Sequence, residues 1–385
     1  MPPVIHFNHA GASILAPETV ELIVAHLRRE AELGPMEAGA AVADRLEAGY
    51  ARAARLLGCA ATDVAFGTGH GQLYGDILAS VPLKAGDRVL VSRQEWIGNV
   101  LALKHACHVS GASMSVMPWD ETTAVDVEAV VRSLDADVKI VALTWVGASG
   151  ALINPAEALG KALRQAKSGA FYMIDASQAI GQLPVDVSEI GCDVLVACGR
   201  KFLRGPRGTA LAYISPRLAV SMVPRRVDDR SAKLDVGRAA IHQSAQAVET
   251  AEFAVALRLG LIDSLERALS LNAFDTRVKL NALATELRNR LTDVPGVNIL
   301  DLGRDKAAFV TFAIEGIPCQ RVKELLAARG ITIGKNGVGY TPFDMDIRGI
   351  TEILRASVHF GNTDTDIEKL VQAVREIAAE AAEAA

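Results

Sequence analysis

The sequence predicts an α/β protein in which a large domain, with a mainly parallel sheet sandwiched by helices, is joined to a smaller α+β C-terminal domain. Through residues 16–250, short apolar segments alternate with segments of helical periodicity, a pattern typical of parallel sheets covered on both faces. From about Ala245 the helical periodicity becomes nearly continuous, and shorter strand and helix patterns follow it. We therefore predict a large domain at residues 16–250 and a small domain formed by residues 1–15 and 251–385.

Five apolar segments of the large domain are predicted strands, and helical patterns lie between most of them. The predicted strands are DVAFGT, DRVLVS, KIVALTWV, AFYMID and DVLVAC. The predicted helices are GQLYGDILASV, NVLALKHACHV and NPAEALGKALRQAK. In the C-terminal part the predicted strands are VNILDL, AAFVTFAI and ILRASVHF, and the predicted helices are PCQRVKELLAARG and TDIEKLVQAVREIAAEAAEAA. Because ligands of such sheets bind beyond the carboxyl ends of the strands, polar residues that follow the strands are the candidates for a site.

The composition is that of a globular protein with a small acidic excess. Half of the 385 residues are hydrophobic, and the formal net charge is −5, which argues against a nucleic-acid-binding protein because no basic surplus exists. The start, MPPVIHFNHAGAS, lacks the basic and apolar regions of a signal peptide, and no apolar stretch reaches membrane-spanning length. The five cysteines are scattered without a CxxC pair, which predicts reduced thiols in the cytoplasm, no disulfide framework and no metal site.

A carboxylate and a lysine are predicted to lie at the same edge of the sheet. Asp175 ends the segment AFYMID, and Lys201 follows the next predicted strand. This pair suits pyridoxal phosphate, because a lysine amine forms an imine with its aldehyde and a carboxylate keeps its ring nitrogen protonated. Gln178, three residues after Asp175, is placed to reach the ring hydroxyl.

Each member of this pair also has an ordinary structural interpretation. The stretch that begins at Asp175 reads equally well as the N-cap of a helix. Lys201 is flanked by Arg200, Arg204 and Arg207, so that taken alone it favours a solvated basic loop. The two residues together favour the cofactor.

A glycine-rich turn is the candidate for binding the phosphate. Gly67, Gly69 and Gly71 stand between a predicted strand and a predicted helix, and free N–H groups at a helix N-terminus bind anions. Thr68 and His70 can add side-chain donors. Generic strand-to-helix turns have a similar composition, so this pattern is weak by itself.

Two further residues are candidates on the strength of their position. Trp96 follows a predicted strand, where an indole either stacks on a flat cofactor ring or packs in the core. Arg355 lies inside an apolar run, and buried arginines are rare unless they are paired. Its guanidinium either captures a substrate carboxylate or makes an internal salt bridge.

Taken together, these segments resemble the class V aminotransferase family of fold-type I pyridoxal phosphate enzymes, and within it the cysteine desulfurase and selenocysteine lyase group. The resemblance spans nearly the whole chain. It is carried by FNHAGAS, FGTGHGQLYG, EWIGN, INP, DASQAIGQLPVDVSEIGCDVLVACGRK, GPRGTALAYI and RASVHFGNTDTDIEKL. The Asp-Ala-x-Gln stretch followed by Gly-x-Lys is its most specific part.

The resemblance implies a role for each candidate residue and a homodimer whose site is built at the subunit interface. The implied roles are imine formation and α-proton transfer for Lys201, pairing with the ring nitrogen for Asp175, a ring-hydroxyl contact for Gln178, phosphate binding for His70, Gly71 and Arg200, ring stacking for Trp96 and substrate-carboxylate binding for Arg355.

One departure from the pattern bears on the reaction. The resemblance implies a nucleophilic cysteine on a mobile loop before the arginine strand in cysteine desulfurases. Here that stretch is KNGVGYTPFDMD, and the cysteine position falls at about Gly339. The nearest cysteine, Cys319, is predicted on the preceding helix, which argues against persulfide chemistry on a protein thiolate. Tyr340 and Phe343 can instead form a substrate lid.

The stretch GRKFLRGPRGT resembles most the C–S lyases of ergothioneine biosynthesis. This implies a pyridoxal-phosphate-dependent lyase that performs β-elimination on a cysteine S-conjugate or sulfoxide, with Lys201 as the only essential general base. An aminotransferase or an amino-acid epimerase is the alternative, because both share Asp175, Lys201 and Arg355. A scaffolding or regulatory protein on the same fold is a third hypothesis, which the intact lysine–aspartate–glutamine set opposes.

Overall fold

The alternating apolar and helical segments form the expected elements in a computed structural model, which describes residues 4–383. The strands are β1 (Ile5–Phe7), β2 (Val64–Gly67), β3 (Arg88–Val91), β4 (Ser113–Val116), β5 (Val138–Thr144), β6 (Phe171–Asp175), β7 (Val194–Cys198), β8 (Ala210–Ile214), β9 (Ala232–Asp235), β10 (Arg238–Ile241), β11 (Val297–Ile299), β12 (Phe309–Ile314), β13 (Ile331–Gly337) and β14 (Glu352–Ser357).

The helices flank these strands. They are α1 (Pro17–Leu33), α2 (Pro35–Ala40), α3 (Ala43–Leu57), α4 (His70–Ser80), α5 (Ile97–Ser110), α6 (Val127–Arg132), α7 (Ala156–Gln165), α8 (Val187–Ile190), α9 (Pro216–Ala219), α10 (Val255–Leu269), α11 (Ala273–Thr292), α12 (Cys319–Ala328), α13 (Pro342–Met345) and α14 (Asp364–Glu383).

The large sheet has seven strands in the order β2-β8-β7-β6-β5-β3-β4. The pairs β3–β4, β3–β5, β5–β6 and β6–β7 are parallel, and β8 runs antiparallel to both of its neighbours. All five strands predicted for this sheet are present, as β2, β3, β5, β6 and β7. The prediction of a mainly parallel sheet in an α/β fold is therefore confirmed.

Both faces of this sheet are buried, as a parallel sheet requires. In β6, Tyr172 and Ile174 belong to one apolar cluster, whereas Phe171 and Met173 belong to a second cluster on the opposite face. This alternation follows from the two-residue period of a strand. The helices predicted on either side, α4, α5 and α7, are also confirmed.

A second sheet contains the start of the chain and its C-terminal third. Its order is β1-β13-β14-β12-β11, with β1 parallel to β13 and the other pairs antiparallel. The domain boundaries at 15/16 and 250/251 stay a prediction, because α10 packs on α1 and α3 and links the two parts. Of the predicted small domain, residues 1–3 and 384–385 lie outside the described residues.

The nearly continuous helix predicted after Ala245 is wrong in detail. The chain forms a short 3-10 turn at Ala245–Val248 and then two separate helices, α10 and α11. The break occurs at Asn272, whose side chain accepts hydrogen bonds from the N–H groups of Phe274 and Asp275. An N-cap of this kind starts a new helix within a periodic pattern.

No helix among residues 4–383 is long and apolar enough to cross a membrane. The same residues contain no group of three or more histidine, cysteine or acidic side chains arranged to bind a metal ion.

The close approach of α7 to α8 gives a prediction about stability. A Cβ atom added at Gly160 would lie 1.9 Å from the carbonyl oxygen of Ile190, whereas one added at Gly75 in α4 meets nothing within 4 Å. We expect Gly160→Ala to lower the free energy of unfolding by about 1–3 kcal/mol through overpacking. Gly75→Ala is the matched control and should raise it by up to about 1 kcal/mol through helix propensity. Urea denaturation measures both, and equal effects of the two changes would contradict the packing argument.

Candidate active site

Asp175 and Lys201 lie at the same end of the large sheet, where the sequence predicts them. Asp175 is the last residue of β6, and Lys201 follows the end of β7 at Cys198. β6 and β7 are adjacent and parallel, so their carboxyl ends open on the same side. Both residues line a cavity of about 570 Å³.

The cavity brings together His70, Trp96, Asp175, Gln178, Arg200, Lys201, Tyr340 and Arg355. The other candidates of the phosphate turn (Gly67, Thr68, Gly69 and Gly71) and of the substrate lid (Phe343) do not line it. Residues from the N-terminal segment, the large sheet and the small domain contribute to its wall. They are Asn8, Ala10, Gly11, Ala12, His70, Trp96, Ile97, Thr144, Val146, Ala148, Asp175, Ser177, Gln178, Cys198, Arg200, Lys201, Arg207, Tyr340 and Arg355.

Asp175 is a buried carboxylate with three polar neighbours. Its Oδ1 accepts a hydrogen bond from the N–H of Ser177 at 2.8 Å, and its Oδ2 accepts one from the Asn99 amide at 2.9 Å and lies 3.3 Å from Nε2 of His70. Burial by itself raises the pKa of Asp175, but His70, Lys201 and Ser177 outweigh it and hold this pKa below its usual value. The carboxylate is therefore ionised at neutral pH. The contact with Ser177 closes a local turn, and no α-helix begins there.

The His70 ring is engaged by other side chains in this network. Its Nε2 lies 3.0 Å from the amide oxygen of Asn99, and its Nδ1 lies 3.0 Å from the Ser177 hydroxyl. The predicted contact of the His70 side chain with a phosphate stays a prediction. In the structure, both ring nitrogens already have side-chain partners. The N–H groups in the first turn of α4 have no partners within the helix.

Glu95 and Asn99 form a hydrogen-bonded network next to Asp175, and the sequence analysis did not identify either residue. The carboxylate of Glu95 accepts hydrogen bonds from Asn99 at 2.7 Å, Thr144 at 2.8 Å and Ser92 at 3.1 Å. Burial, together with the negative charge of Asp175, raises the pKa of Glu95 to about 7. The available signal was the polar pair at positions i and i+4 in EWIGN, a segment that we interpreted for its tryptophan alone.

Lys201 is not a solvated loop residue. Burial lowers the pKa of its amine, and Arg200 and Arg355 lower it further, whereas Cys198 and Asp175 oppose the shift. Arg200 itself donates a hydrogen bond to the carbonyl of Gly11. The amine is therefore closer to its neutral form at neutral pH than a free lysine would be.

Trp96 stands at the start of α5, on the wall of the cavity. Its ring covers Gly98 so closely that a Cβ atom there would lie 2.1 Å from the indole, so Gly98 is needed for this position of the ring. The indole meets the His70 ring edge to face at 5.9 Å. Whether it stacks on a cofactor ring stays a prediction.

Arg355 is a buried arginine without an acidic partner among the described residues. It lies on β14 with 4% of its surface exposed, and one guanidinium nitrogen donates to the carbonyl of Ala148 at 3.0 Å. Its Nε has no hydrogen-bond partner. Burial lowers its pKa to about 10, which leaves it charged at neutral pH. The internal salt bridge that the sequence left open is absent from residues 4–383.

The cavity fits pyridoxal phosphate. Its volume lies in the range of cofactor sites, and the Oε1 atom of Gln178 and Nε of Arg355 are buried without partners, as expected of groups that meet a ligand. A Cβ atom added at Gly69 or Gly71 meets nothing within 4 Å, so the start of α4 offers open space for a phosphate. Lys201, Asp175 and Gln178 are the residues that would hold the ring.

One cysteine, Cys198, lies at this cavity, and the sequence analysis did not single it out. It ends β7, is 6% exposed, and its N–H donates to the Ser177 hydroxyl at 3.3 Å. Cys319 is buried at the start of α12 and does not line the cavity. No cysteine occurs between Lys335 and Asp346, the stretch that contributes Tyr340 to the wall.

A fold-type I architecture with a lysine and an ionised carboxylate at adjacent strand ends defines a pyridoxal-phosphate-dependent enzyme. The family model of class V aminotransferases matches residues 5–370, and the chain therefore belongs to that family. Pyridoxal phosphate is accordingly its cofactor.

The similar proteins include some named as lyases and some named as cysteine desulfurases. A probable hercynylcysteine sulfoxide lyase of Mycobacterium tuberculosis is 29% identical over 97% of this chain and 90% of that protein. A probable cysteine desulfurase of Xylella fastidiosa is 26% identical over 77% of this chain and 70% of that protein. The apo structure of a cysteine desulfurase from Thermococcus onnurineus superposes with a TM-score of 0.88 at 19% identity, over 98% of this chain and 95% of that one, which supports the fold.

The raised pKa of Glu95 predicts a pH dependence of stability. A carboxyl group with a raised folded-state pKa stabilises the fold in its protonated form, so its contribution is full below about pH 4.5 and is lost as the pH rises through about 7. Relative to wild type, we expect Glu95→Gln to gain on the order of 2–3 kcal/mol of unfolding free energy between pH 4.5 and pH 8. Urea denaturation across this range measures the difference, and a difference that does not change with pH contradicts the assignment.

Proposed function

We propose that this chain is a pyridoxal-phosphate-dependent C–S lyase that performs β-elimination on a cysteine S-conjugate or sulfoxide without a catalytic cysteine. The observation that carries the proposal is the wall of the cavity at residues 335–346. This segment contributes Tyr340 to the cavity and contains no cysteine, so it offers no thiolate to a substrate sulfur.

The remaining residues supply what a β-elimination needs. Pyridoxal phosphate supplies an electron-withdrawing ring that stabilises negative charge at the substrate Cα. Lys201, with its lowered pKa, is the base that takes the proton from Cα. Asp175, held ionised by His70 and Ser177, keeps a proton on the ring nitrogen. Arg355, a buried cation without an acidic partner in residues 4–383, binds the substrate carboxylate.

The net reaction balances without an oxidant or reductant. The Cβ–S bond breaks, its electron pair leaves with sulfur, and the proton taken from Cα offsets that charge. A cysteine sulfoxide and one water then give a sulfenic acid, pyruvate and ammonium. A cysteine S-conjugate gives a thiol in place of the sulfenic acid.

The lyase relative supports this proposal because it is 29% identical over 97% of this chain and 90% of that protein, whereas a probable cysteine desulfurase of Treponema pallidum is 24% identical over 97% of this chain and 94% of that protein. An aminotransferase or amino-acid epimerase on the same scaffold is the alternative, since it would use Asp175, Lys201 and Arg355 in the same way. Dependence on an added keto acid separates a transferase from a lyase, and racemisation without release of ammonia identifies an epimerase.

We also propose that the protein is a homodimer and works in the cytoplasm. The hairpin β9–β10 exposes Leu234 and Val236 almost completely, at 85% and 96%, and apolar surface of this kind favours contact with another chain. The molar mass of the holoenzyme in solution tests the dimer. All five cysteines are free, which supports a reducing compartment.

A substrate panel tests the lyase proposal. We expect the holoenzyme to release pyruvate and ammonium from S-alkyl-L-cysteine sulfoxides or S-alkyl-L-cysteines without an added keto acid. Lys201→Ala should lower this rate at least 100-fold, because the proton at Cα loses its base. Pyruvate and ammonium are measured together with sulfide and keto acids. Product formation only in the presence of a keto acid, or persulfide transfer from L-cysteine, contradicts the lyase.

Cys198 provides a second test, because it is the cysteine at the cavity among the described residues. We expect Cys198→Ala to keep pyruvate release within about threefold of wild type, since a buried residue at the end of a rigid strand has no role in the elimination. The matched control is Cys192→Ala, at a buried cysteine away from the cavity. Loss of activity in Cys198→Ala alone, with normal unfolding behaviour, would show that a protein thiol takes part.

A further inference from the structure

The segment at residues 338–348 contributes Tyr340 to the wall of the cavity and contains a buried group of charges. Tyr340 ends a 3-10 turn and is 46% exposed at the cavity. The short helix α13 follows directly, and its residues Asp344 and Met345 are almost completely buried. A surface loop that served only as a connection would not bury a carboxylate.

Asp344 lies between two arginines. Its Oδ1 is 3.2 Å from Nε of Arg93, and its Oδ2 accepts a hydrogen bond from Arg348 at 3.0 Å. Only 1% of the Asp344 side chain and 5% of the Arg93 side chain are exposed. Because local opening would leave the Arg93 guanidinium buried without its carboxylate partner, this arrangement disfavours opening.

The arginines connect this segment to the large domain. Arg93 follows β3 and lies on the stretch that leads to Trp96, which also lines the cavity. Arg348 also donates hydrogen bonds to the carbonyls of Ser149 at 3.0 Å and Leu300 at 2.6 Å. Residues 338–348 are therefore held by an ion pair with Arg93 and by hydrogen bonds to the carbonyls of Ser149 and Leu300.

A second set of contacts fixes Arg355 at the same place. The side chains of Arg355 and Asn336 both donate to the carbonyl of Ala148, at 3.0 and 2.9 Å, next to the Ser149 carbonyl that Arg348 uses. Tyr340 and Arg355 line the same cavity, and Nε of Arg355 has no partner. Tyr340 is one of the groups that act on the pKa of Arg355, and it raises that pKa.

We infer that Tyr340 binds the substrate carboxylate together with Arg355, and that Asp344, held between Arg93 and Arg348, is the positioning residue that fixes Tyr340 there. The inference rests on the proposed function only in that the substrate is an amino acid. The Tyr340 hydroxyl donates to a carboxylate oxygen, and the guanidinium of Arg355 supplies the charge. This wall is preformed and does not close over the substrate.

Two ligands that differ by one carboxylate test the recognition step. S-methyl-L-cysteine sulfoxide and its carboxylate-free counterpart, 2-(methylsulfinyl)ethylamine, are mixed rapidly with holoenzyme, and the amplitude of the first change in visible absorption, before turnover, gives the Kd of each. We expect Tyr340→Phe to raise the Kd of the amino acid roughly 10-fold or more, as for a lost hydrogen bond to a charged group, and to leave the Kd of the amine unchanged. An equal effect on both ligands, or on neither, overturns the inference.

Asp344→Asn tests the positioning step against a matched control. We expect it to raise the Kd of the amino acid and to speed hydrogen exchange in residues 338–348. Asp193 is also buried and paired with an arginine, Arg217, at 2.6 Å, but neither residue lines the cavity. Asp193→Asn should lower stability and leave both measurements unchanged. Rapid exchange of residues 338–348 in wild type, or equal effects of the two variants, refutes the fixed wall.

The outcomes separate this inference from the lyase proposal. If the amino acid binds but no pyruvate is released, only the lyase proposal fails. If the amino acid binds no better than the amine in wild type, carboxylate recognition by Tyr340 and Arg355 is wrong whatever reaction the enzyme performs.

Discussion

The site depends on keeping one buried carboxylate ionised at the end of β6. Burial by itself raises the pKa of Asp175, so neighbours that are themselves held in place must lower it again. The backbone N–H of Ser177 and the amide of Asn99 donate hydrogen bonds to the carboxylate, and His70 and Lys201 also lower its pKa. The parallel pairing of β6 with β7 matters because it brings Lys201 to the same cavity. The site therefore depends both on the sheet topology, which brings Asp175 and Lys201 together, and on the electrostatics, which keep Asp175 ionised.

The parts of this arrangement that the sequence could predict are those set by local pattern. The strands β6 and β7 are recognisable as apolar runs. Asp175 ends β6 and Lys201 follows β7, so the two residues lie at a common edge of the sheet however the helices pack. The sequence also placed Arg355 correctly in a buried strand. It could not place the break at Asn272, because helical periodicity continues across that residue and only the capping geometry shows that a new helix begins.

What the sequence could not predict are the partners that packing brings together from distant elements. The phosphate contact of His70 stays a prediction, but the partners of its ring, Asn99 and Ser177, come from α5 and from the turn after β6, and no sequence pattern indicates them. Likewise, nothing in the segment that contains Asp344 indicates Arg93 as its partner. Such contacts join residues far apart in sequence, and no periodicity records them.

The buried charges around Asp344 also bear on the choice between a lyase and a desulfurase. The resemblance implies that a desulfurase delivers its thiolate from a mobile loop, and such a loop must open at small cost. Here the corresponding segment is held by two arginines and buries its carboxylate almost completely. Opening it would leave Arg93 buried without its carboxylate partner, which disfavours such motion. An elimination that needs only a fixed base at Lys201 does not require such motion. The fixed segment and the absence of a cysteine from residues 335–346 therefore both favour β-elimination over persulfide chemistry.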